Sequence, residues 1–326
     1  MTSGKPLNGF QIVTLAINAP GPVAAARLRA MGAAVVKIEP PGGDPLARLC
    51  PPWYEELTEG QQVRQLDLKQ FAGREQLHRI LGESDLLLTA TRPAAMERLE
   101  LDWPRLHHAH PKLCQVAIVG QFAPNDNLAG HDLCYQASVG LVAPPQLPNT
   151  LVADLAGAER AVSAALALLL ERERTGIAAY AQVALQNAAE AFTPPLRHGF
   201  TVPGGLLAGG LPGYNIYQTL KGWIAVGALE PHFLERLVRE LQLETASREE
   251  FQSAFLARAA EEWERWAISG WAPAPNNAVP RTEPPISSRR VKAPPAPCVV
   301  AEPLFTCEVC RFFIAYHPCK KVGERD

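Results

Sequence analysis

The chain has 326 residues, 47% hydrophobic and 20% charged, with a formal net charge of −2. That length allows a large core and two domains. The near-neutral balance offers neither the basic excess of a nucleic-acid binder nor an acidic tail that would mark disorder or a basic partner. The opening MTSGKPLNGF has no apolar h-region, and Asp154, Glu159, Arg160 and Glu171 flank the best apolar run, 161–170, too closely for a span. No secretory leader and no membrane partner are expected, and a cytoplasmic protein is the default.

In chain order, FQIVTLA at 10–16 reads as a short apolar strand, and NAPGP turns it into the helix VAAARLRAMG, with Pro22 at its start and Gly32 at its end. AAVVKIEP follows as a second strand. Then come VRQLDLK, the helix-like FAGREQLHRILGES, the strand DLLLTAT, a helical stretch, and the strand LCQVAIVG. Strands alternating with helices predict an α/β fold, a Rossmann-like large domain with a mostly parallel sheet covered on both faces. The first turn, Asn18–Ala19–Pro20–Gly21–Pro22, lacks the G-x-G-x-x-G spacing of a dinucleotide site, and no P-loop motif occurs. No nicotinamide cofactor is expected.

After Gly176, AYAQVAL is a strand and QNAAEAF a helix that stops at Thr193–Pro194–Pro195. These elements close a large domain at 1–196. Residues 197–212, with TVPGGLLAGGLPG among them, read as a Gly-rich linker. YNIYQTL and WIAVGAL form a hairpin turned at Lys221–Gly222. The helices HFLERLVREL and 247–267 complete a small α+β domain at 213–271. Prolines then crowd 273–303 beside Arg281, Arg289, Arg290 and Lys292. No period survives in this atypical tail, 272–326, which is expected to be extended or disordered. Cys50, Cys114 and Cys134 are scattered through the body, as for reduced thiols. Cys298, Cys307, Cys310 and Cys319 crowd the tail with His317, but their spacing matches no common zinc finger, so no metal is expected.

The stretch 130–176 carries the chemistry. GHDLCYQASVG leads through a Pro-rich turn to LVADLAGAERAVSAALALLLERERTG, where Leu155, Val162, Leu166 and Leu169 recur at helical spacing. Asp154 falls in or just before the first turn, where free N–H groups and the helix dipole favour an anion. Taken alone it reads as an N-cap, His131 as a cap or surface residue, and Glu230 before Pro231 as a first-turn acid.

Together these motifs resemble the family III CoA-transferases (CaiB/BaiF type), the group that also contains α-methylacyl-CoA racemase. The resemblance covers about residues 6–270, in family order: PLNGFQIVTLA, GPVAAARLRAMGAAVVKIEPPGGDPLAR, LDLK, RPAAMERLEL, GHDLCYQASVG, LVADLAG and VGALEPHF. It implies a Rossmann-like large domain, a small domain and an interlocked homodimer. It also implies a small-molecule acyl-CoA substrate, with coenzyme A as the substrate moiety. The aspartate of D-x-x-G is Asp154, with Gly157. In transferases of the family it is the nucleophile that forms an acyl anhydride. In racemases it shares α-proton transfer with the GHD histidine, here His131, oriented by the glutamate of the GALEP segment, here Glu230. The enolate oxygen would take donors from backbone N–H groups at the helix start near Asp154. Arg92, Arg48 and Asp132 stand where the family handles the CoA side, arginine suiting phosphate by its bidentate fork.

The GALEP segment stands where the transferases carry a glycine run, which favours α-proton exchange on a 2-methylacyl-CoA. CoA transfer between carboxylic acids through an Asp154 anhydride is the alternative, and a non-catalytic CoA-binding subunit a third. Two segments depart from the family: GQQVRQ replaces a basic stretch before LDLK, and QFAPNDN replaces a glycine-rich turn after AIVG.

Overall fold

A computed structural model describes residues 4–269 together with two isolated strand segments, Ser288–Arg289 and Phe313–Tyr316. The chain divides into two compact units, Met1–Thr193 and Pro194–Asp326.

The first unit is built on six strands, β1 (Gln11–Thr14), β2 (Ala34–Glu39), β3 (Gln62–Gln65), β4 (Leu86–Thr89), β5 (Cys114–Val119) and β6 (Tyr180–Ala184). Every pairing between them is parallel, in the order β3-β2-β1-β4-β5-β6. The helices between them are α1 (Pro20–Ala30), α2 (Leu46–Leu49), α3 (Pro51–Thr58), α4 (Phe71–Leu81), α5 (Pro93–Arg98), α6 (Trp103–Ala109), α7 (Asp132–Ser138) and α8 (Val152–Thr175), and α9 (Leu185–Glu190) follows β6.

The period-2 alternation of a strand separates two cores. Ile12, Leu86, Leu88, Val116 and Ile118 face α1 and α8, whereas Val13, Leu87 and Ile38 face α4, α5 and α6. Fully buried Ala158, Ala161 and Ala165 give α8 small side chains where it packs in the first of these cores. At the helix end Gly176 adopts φ +77°, a left-handed cap that only glycine takes freely. Gly21, at the start of α1, serves a different need. A Cβ there would stand 2.0 Å from the Ala16 Cβ, so the glycine permits close approach of helix and strand.

Lys37 and Glu39 on β2 are both buried, on the face that also holds Val35. The Lys37 ammonium donates to Glu39 Oε1 (2.9 Å) and Asp44 Oδ2 (2.7 Å), and the Tyr54 hydroxyl donates to Glu39 Oε1 (2.8 Å). Burial, then the Glu39 hydrogen bond, pushes the Tyr54 phenol up to about 12. One buried cation thus satisfies two buried carboxylates.

The second unit begins at α10 (Pro194–Arg197). It continues through a single π-type turn at Leu206–Gly210 to the hairpin β7 (Tyr214–Gln218) and β8 (Trp223–Gly227). The hairpin turns where expected, with Gly222 at φ +94°. Three helices follow, α11 (Pro231–Glu240), α12 (Arg248–Phe255) and α13 (Ala260–Ser269). The single helix expected over 247–267 is therefore two. Leu220 N–H donates to Arg258 O and Ala260 N–H to Lys221 O, so the break is tied to the hairpin turn. Glu262 accepts from Ala259 N–H and caps the new start, and Trp263 Nε1 donates to Phe255 O across the bend. Phe251, Phe255 and Trp263 thereby share one core with Tyr217, Ile224 and Val226.

In the tail, expected to be extended or disordered, two segments are strands. β9 (Ser288–Arg289) and β10 (Phe313–Tyr316) join the hairpin as strands, β10 antiparallel to β8 with Phe313 opposite Val226. A four-residue strand is too short for its period to stand out in a Pro-rich sequence. The zinc-type residues Cys298, Cys307, Cys310, His317 and Cys319 lie outside the described residues. Among the described residues no group of three or more His, Cys, Asp or Glu could hold a metal, and no helix is long and apolar enough to cross a membrane.

Replacing Lys37 by Met leaves Glu39 and Asp44 buried without their cation. The variant is expected to lose roughly 3–5 kcal/mol of stability in urea unfolding. A loss within experimental error would contradict the role given to this network.

Candidate active site

The strand order reverses between β1 and β4: the chain runs outward from β1 through β2 to β3, and from β4 through β5 to β6 on the other side. Open α/β sheets bind ligands at such a switch point, beyond the carboxyl ends of the strands. A cleft of about 250 Å³ lies there. Asn18 lines it after β1, Arg92 after β4, Gly120 after β5 and Leu185 after β6. His131, Tyr135 and Asp154 complete its reactive wall. Ordinary ligand pockets run to about 300–1,000 Å³, so this one suits the reacting end of a ligand better than a whole cofactor.

The wall at Asn18 is held in place by the buried network of β2. Asn18 has φ +69°, a conformation asparagine tolerates better than most residues. Its N–H donates to Asp44 Oδ1 at 3.0 Å, and Leu46 N–H donates to the same oxygen. Across the cleft, Ala94 N–H at the start of α5 donates to Asn127 Oδ1 at 2.9 Å. That bond ties the QFAPNDN segment beside Arg92, and its Asp126 and the following Leu128 also line the cleft.

Asp154 is not the N-cap of its helix. Leu151 occupies that position with no side-chain cap, and Asp154 sits in the first turn. The capping acceptor comes from another helix: Asp154 N–H donates to Asp132 Oδ1 at 3.1 Å. The other Asp132 oxygen accepts from Gln136 Nε2, which also donates to Thr150 O at 3.0 Å. Burial first, and the Asp132 charge second, push the Asp154 carboxyl up to about 6. The native state therefore holds this proton more tightly than an unfolded aspartate, whose pKa is about 3.9. This group's contribution to stability falls as pH rises from about 4 to about 6.

The six residues singled out in the sequence separate. Asp154, His131 and Arg92 line one cleft. His131 is exposed at the N-cap position of α7 with no capping bond, and Arg92 is exposed at the N-cap position of α5. Asp132 is 5% exposed, and both of its carboxylate oxygens are engaged inside the protein. Arg48 is exposed on α2 and does not line the cleft. Glu230 belongs to the second unit, exposed at the N-cap position of α11 without a capping bond.

Of the N–H groups at the helix start, that of Asp154 is committed to Asp132. Gly157 explains the last position of D-x-x-G. A Cβ there would stand 2.3 Å from Leu185 Cδ2, so the glycine lets α8 pack against a residue of the cleft wall. Sequence reasoning missed Tyr135 and Asn18. The signals were the glycines around GHD and the asparagine heading a turn.

The model for CoA-transferase family III matches residues 7–276. The chain belongs to that family. It is 34% identical over 263 residues to the human protein named alpha-methylacyl-CoA racemase, an alignment covering 73% of this chain and 65% of the racemase. A protein of Mycobacterium tuberculosis named a probable fatty acyl-CoA transferase is 30% identical over 203 residues, covering 57% of this chain and 52% of its own length. The chain thus spans about half to two-thirds of these two relatives. Its fold matches a solved M. tuberculosis hypothetical protein at TM-score 0.73 and 24% identity, covering 82% of this chain and 83% of the other. The expected Rossmann-like architecture is therefore the family's own.

Replacing Asp132 by Asn removes its charge and keeps an oxygen for the Asp154 N–H. The Asp154 titration, followed by carboxyl carbon NMR, is expected to move below 6 yet stay above the ordinary aspartate range, because burial remains. An unmoved midpoint would show that the Asp132 charge does not act on Asp154. Gly157→Ala is expected to press Leu185 toward the cleft and raise KM more than it lowers kcat, read from steady-state kinetics.

Proposed function

We propose that this family III chain acts on acyl-CoA thioesters and exchanges the α-proton of a 2-methylacyl-CoA between His131 and Asp154. The observation that carries the reading is the convergence of an imidazole and a raised carboxyl on one small cleft. Inversion removes a proton from one face of the α-carbon and returns one to the other, which a single base reaches poorly. A carboxyl raised to about 6 is suited to accept and return a proton, and an imidazole on the same cleft supplies the second group.

The step balances without a redox partner. The carboxylate of Asp154, or the imidazole of His131, takes the α-proton. The C–H electron pair becomes the C=C bond of an enolate, and the carbonyl π pair moves onto oxygen. The opposite group, protonated, then returns a proton to carbon. Arg92 at the cleft mouth is suited to a phosphate of the CoA moiety. The reading includes a homodimer as the assembled form, which sedimentation velocity would test.

The second reading is CoA transfer between carboxylic acids, favoured by the transferase name of the mycobacterial relative. There the Asp154 carboxylate attacks the thioester carbon, the C–S bond breaks, and CoA leaves as thiolate.

The purified protein in D2O is expected to incorporate deuterium at Cα of a 2-methylacyl-CoA and to epimerise it. Asp154→Asn and His131→Ala should each lose at least about 100-fold in exchange. The rate should rise as pH climbs through about 6, because Asp154 must ionise to act as base. Unchanged exchange in both variants would sink this reading. Transfer to an acceptor acid without exchange, with a hydroxylamine adduct at Asp154, would establish the second.

A further inference from the structure

We propose that Tyr135 is a further catalytic residue of this cleft, its phenol O–H donating a hydrogen bond to the thioester carbonyl oxygen as that oxygen gains negative charge. The inference rests on the reading that an acyl-CoA is activated here, but it is indifferent to which reaction follows. Removing the α-proton sends the carbonyl π pair onto oxygen as an enolate. Attack by Asp154 sends the same pair onto oxygen in a tetrahedral adduct. Either oxyanion requires a donor already in place.

At the start of α8 the Asp154 N–H is committed to Asp132. Among the described residues no hydrogen bond engages the Tyr135 hydroxyl, and the residue lines the cleft beside His131 and Asp154. The residue is only 6% exposed, and the two glycines nearest its hydroxyl, Gly120 and Gly130, line the same cleft.

Two glycines make the slot for that tip. A Cβ on Gly120 would stand 2.1 Å from the Tyr135 hydroxyl oxygen, and one on Gly130 would stand 2.5 Å from it. Neither glycine has a positive φ, so the backbone does not require glycine at these positions. What requires it is the phenol. The slot lies between the end of β5 and the residue directly before His131, which fixes the donor against both the sheet and the catalytic loop. Burial, and then the Asp154 charge, raise the phenol's pKa, against a smaller opposing effect of Arg92. The group therefore stays protonated at working pH, a donor rather than a base.

Tyr135→Phe keeps the ring and removes only the O–H, and so preserves packing. It is expected to lower kcat for exchange or transfer about 100-fold while KM and affinity for CoA stay unchanged. A second readout needs no turnover. A CoA thioether bearing an α-nitro group, whose nitronate mimics the enolate, should bind the variant about 100-fold more weakly by calorimetry. Gly130→Ala, which displaces the phenol, should reproduce both losses. A Tyr135→Phe protein with wild-type kcat and wild-type nitronate affinity overturns the proposal. A wild-type protein that neither exchanges nor transfers overturns the acyl-CoA reading instead, and nitronate binding then still decides for or against Tyr135.

Discussion

The site depends on one buried carboxylate that takes no part in the chemistry proposed here. Asp132 reaches from the first turn of α7 to the first turn of α8, accepts the Asp154 N–H, and is held by Gln136. That contact fixes two helix starts against each other, with His131 on one and Asp154 on the other. It also places a negative charge beside a carboxyl already desolvated by burial, and together they raise Asp154 to about 6. Position, and part of the raised proton affinity, thus come from the same interaction. A hydroxyl or amide at 132 could supply the capping bond, but not the charge.

The rest of the fold carries this pair to a place where a ligand can meet it. A parallel sheet whose order reverses between β1 and β4 leaves a crevice at the strand ends, and the turns after β1, β4, β5 and β6 form its walls. The β1 turn is held by a buried ion network, Lys37 with Glu39 and Asp44, through the Asp44 bond to Asn18 N–H. Burying ions is costly, and a fully bonded cluster is the condition under which it is tolerated. Here every charge has a partner within 3 Å.

Much of this was legible in the sequence, for physical reasons that differ by element. The strands of the first unit are short apolar runs between turn residues, and the helix ending at Gly176 announces its cap. The motif around Asp154 singled out a carboxyl that lines the cleft, and the family match agrees with the resemblance. Contacts between segments distant in sequence were not legible. Nothing in GHD says that its aspartate turns inward to cap a helix that begins twenty residues later. Nothing in VVKIEPPGGD says that Lys37 is buried among carboxylates, because an alternating strand with Lys and Glu reads as solvent-facing on that side. The break between α12 and α13 was invisible for a similar reason. The helical period runs through it, and the cause is a pair of backbone hydrogen bonds to a hairpin forty residues earlier. Tyr135 escaped notice because an aromatic on a short helix is ordinarily core.

The central claim is that the reacting carbon sits between His131 and Asp154. A crystal structure with an unreactive 2-methylacyl-CoA thioether analogue tests it most directly. The account predicts the α-carbon flanked on opposite faces by the Asp154 carboxylate and the His131 imidazole, each within about 3–3.5 Å. An analogue bound with its α-carbon away from Asp154, or with another group nearer than Asp154, would contradict it.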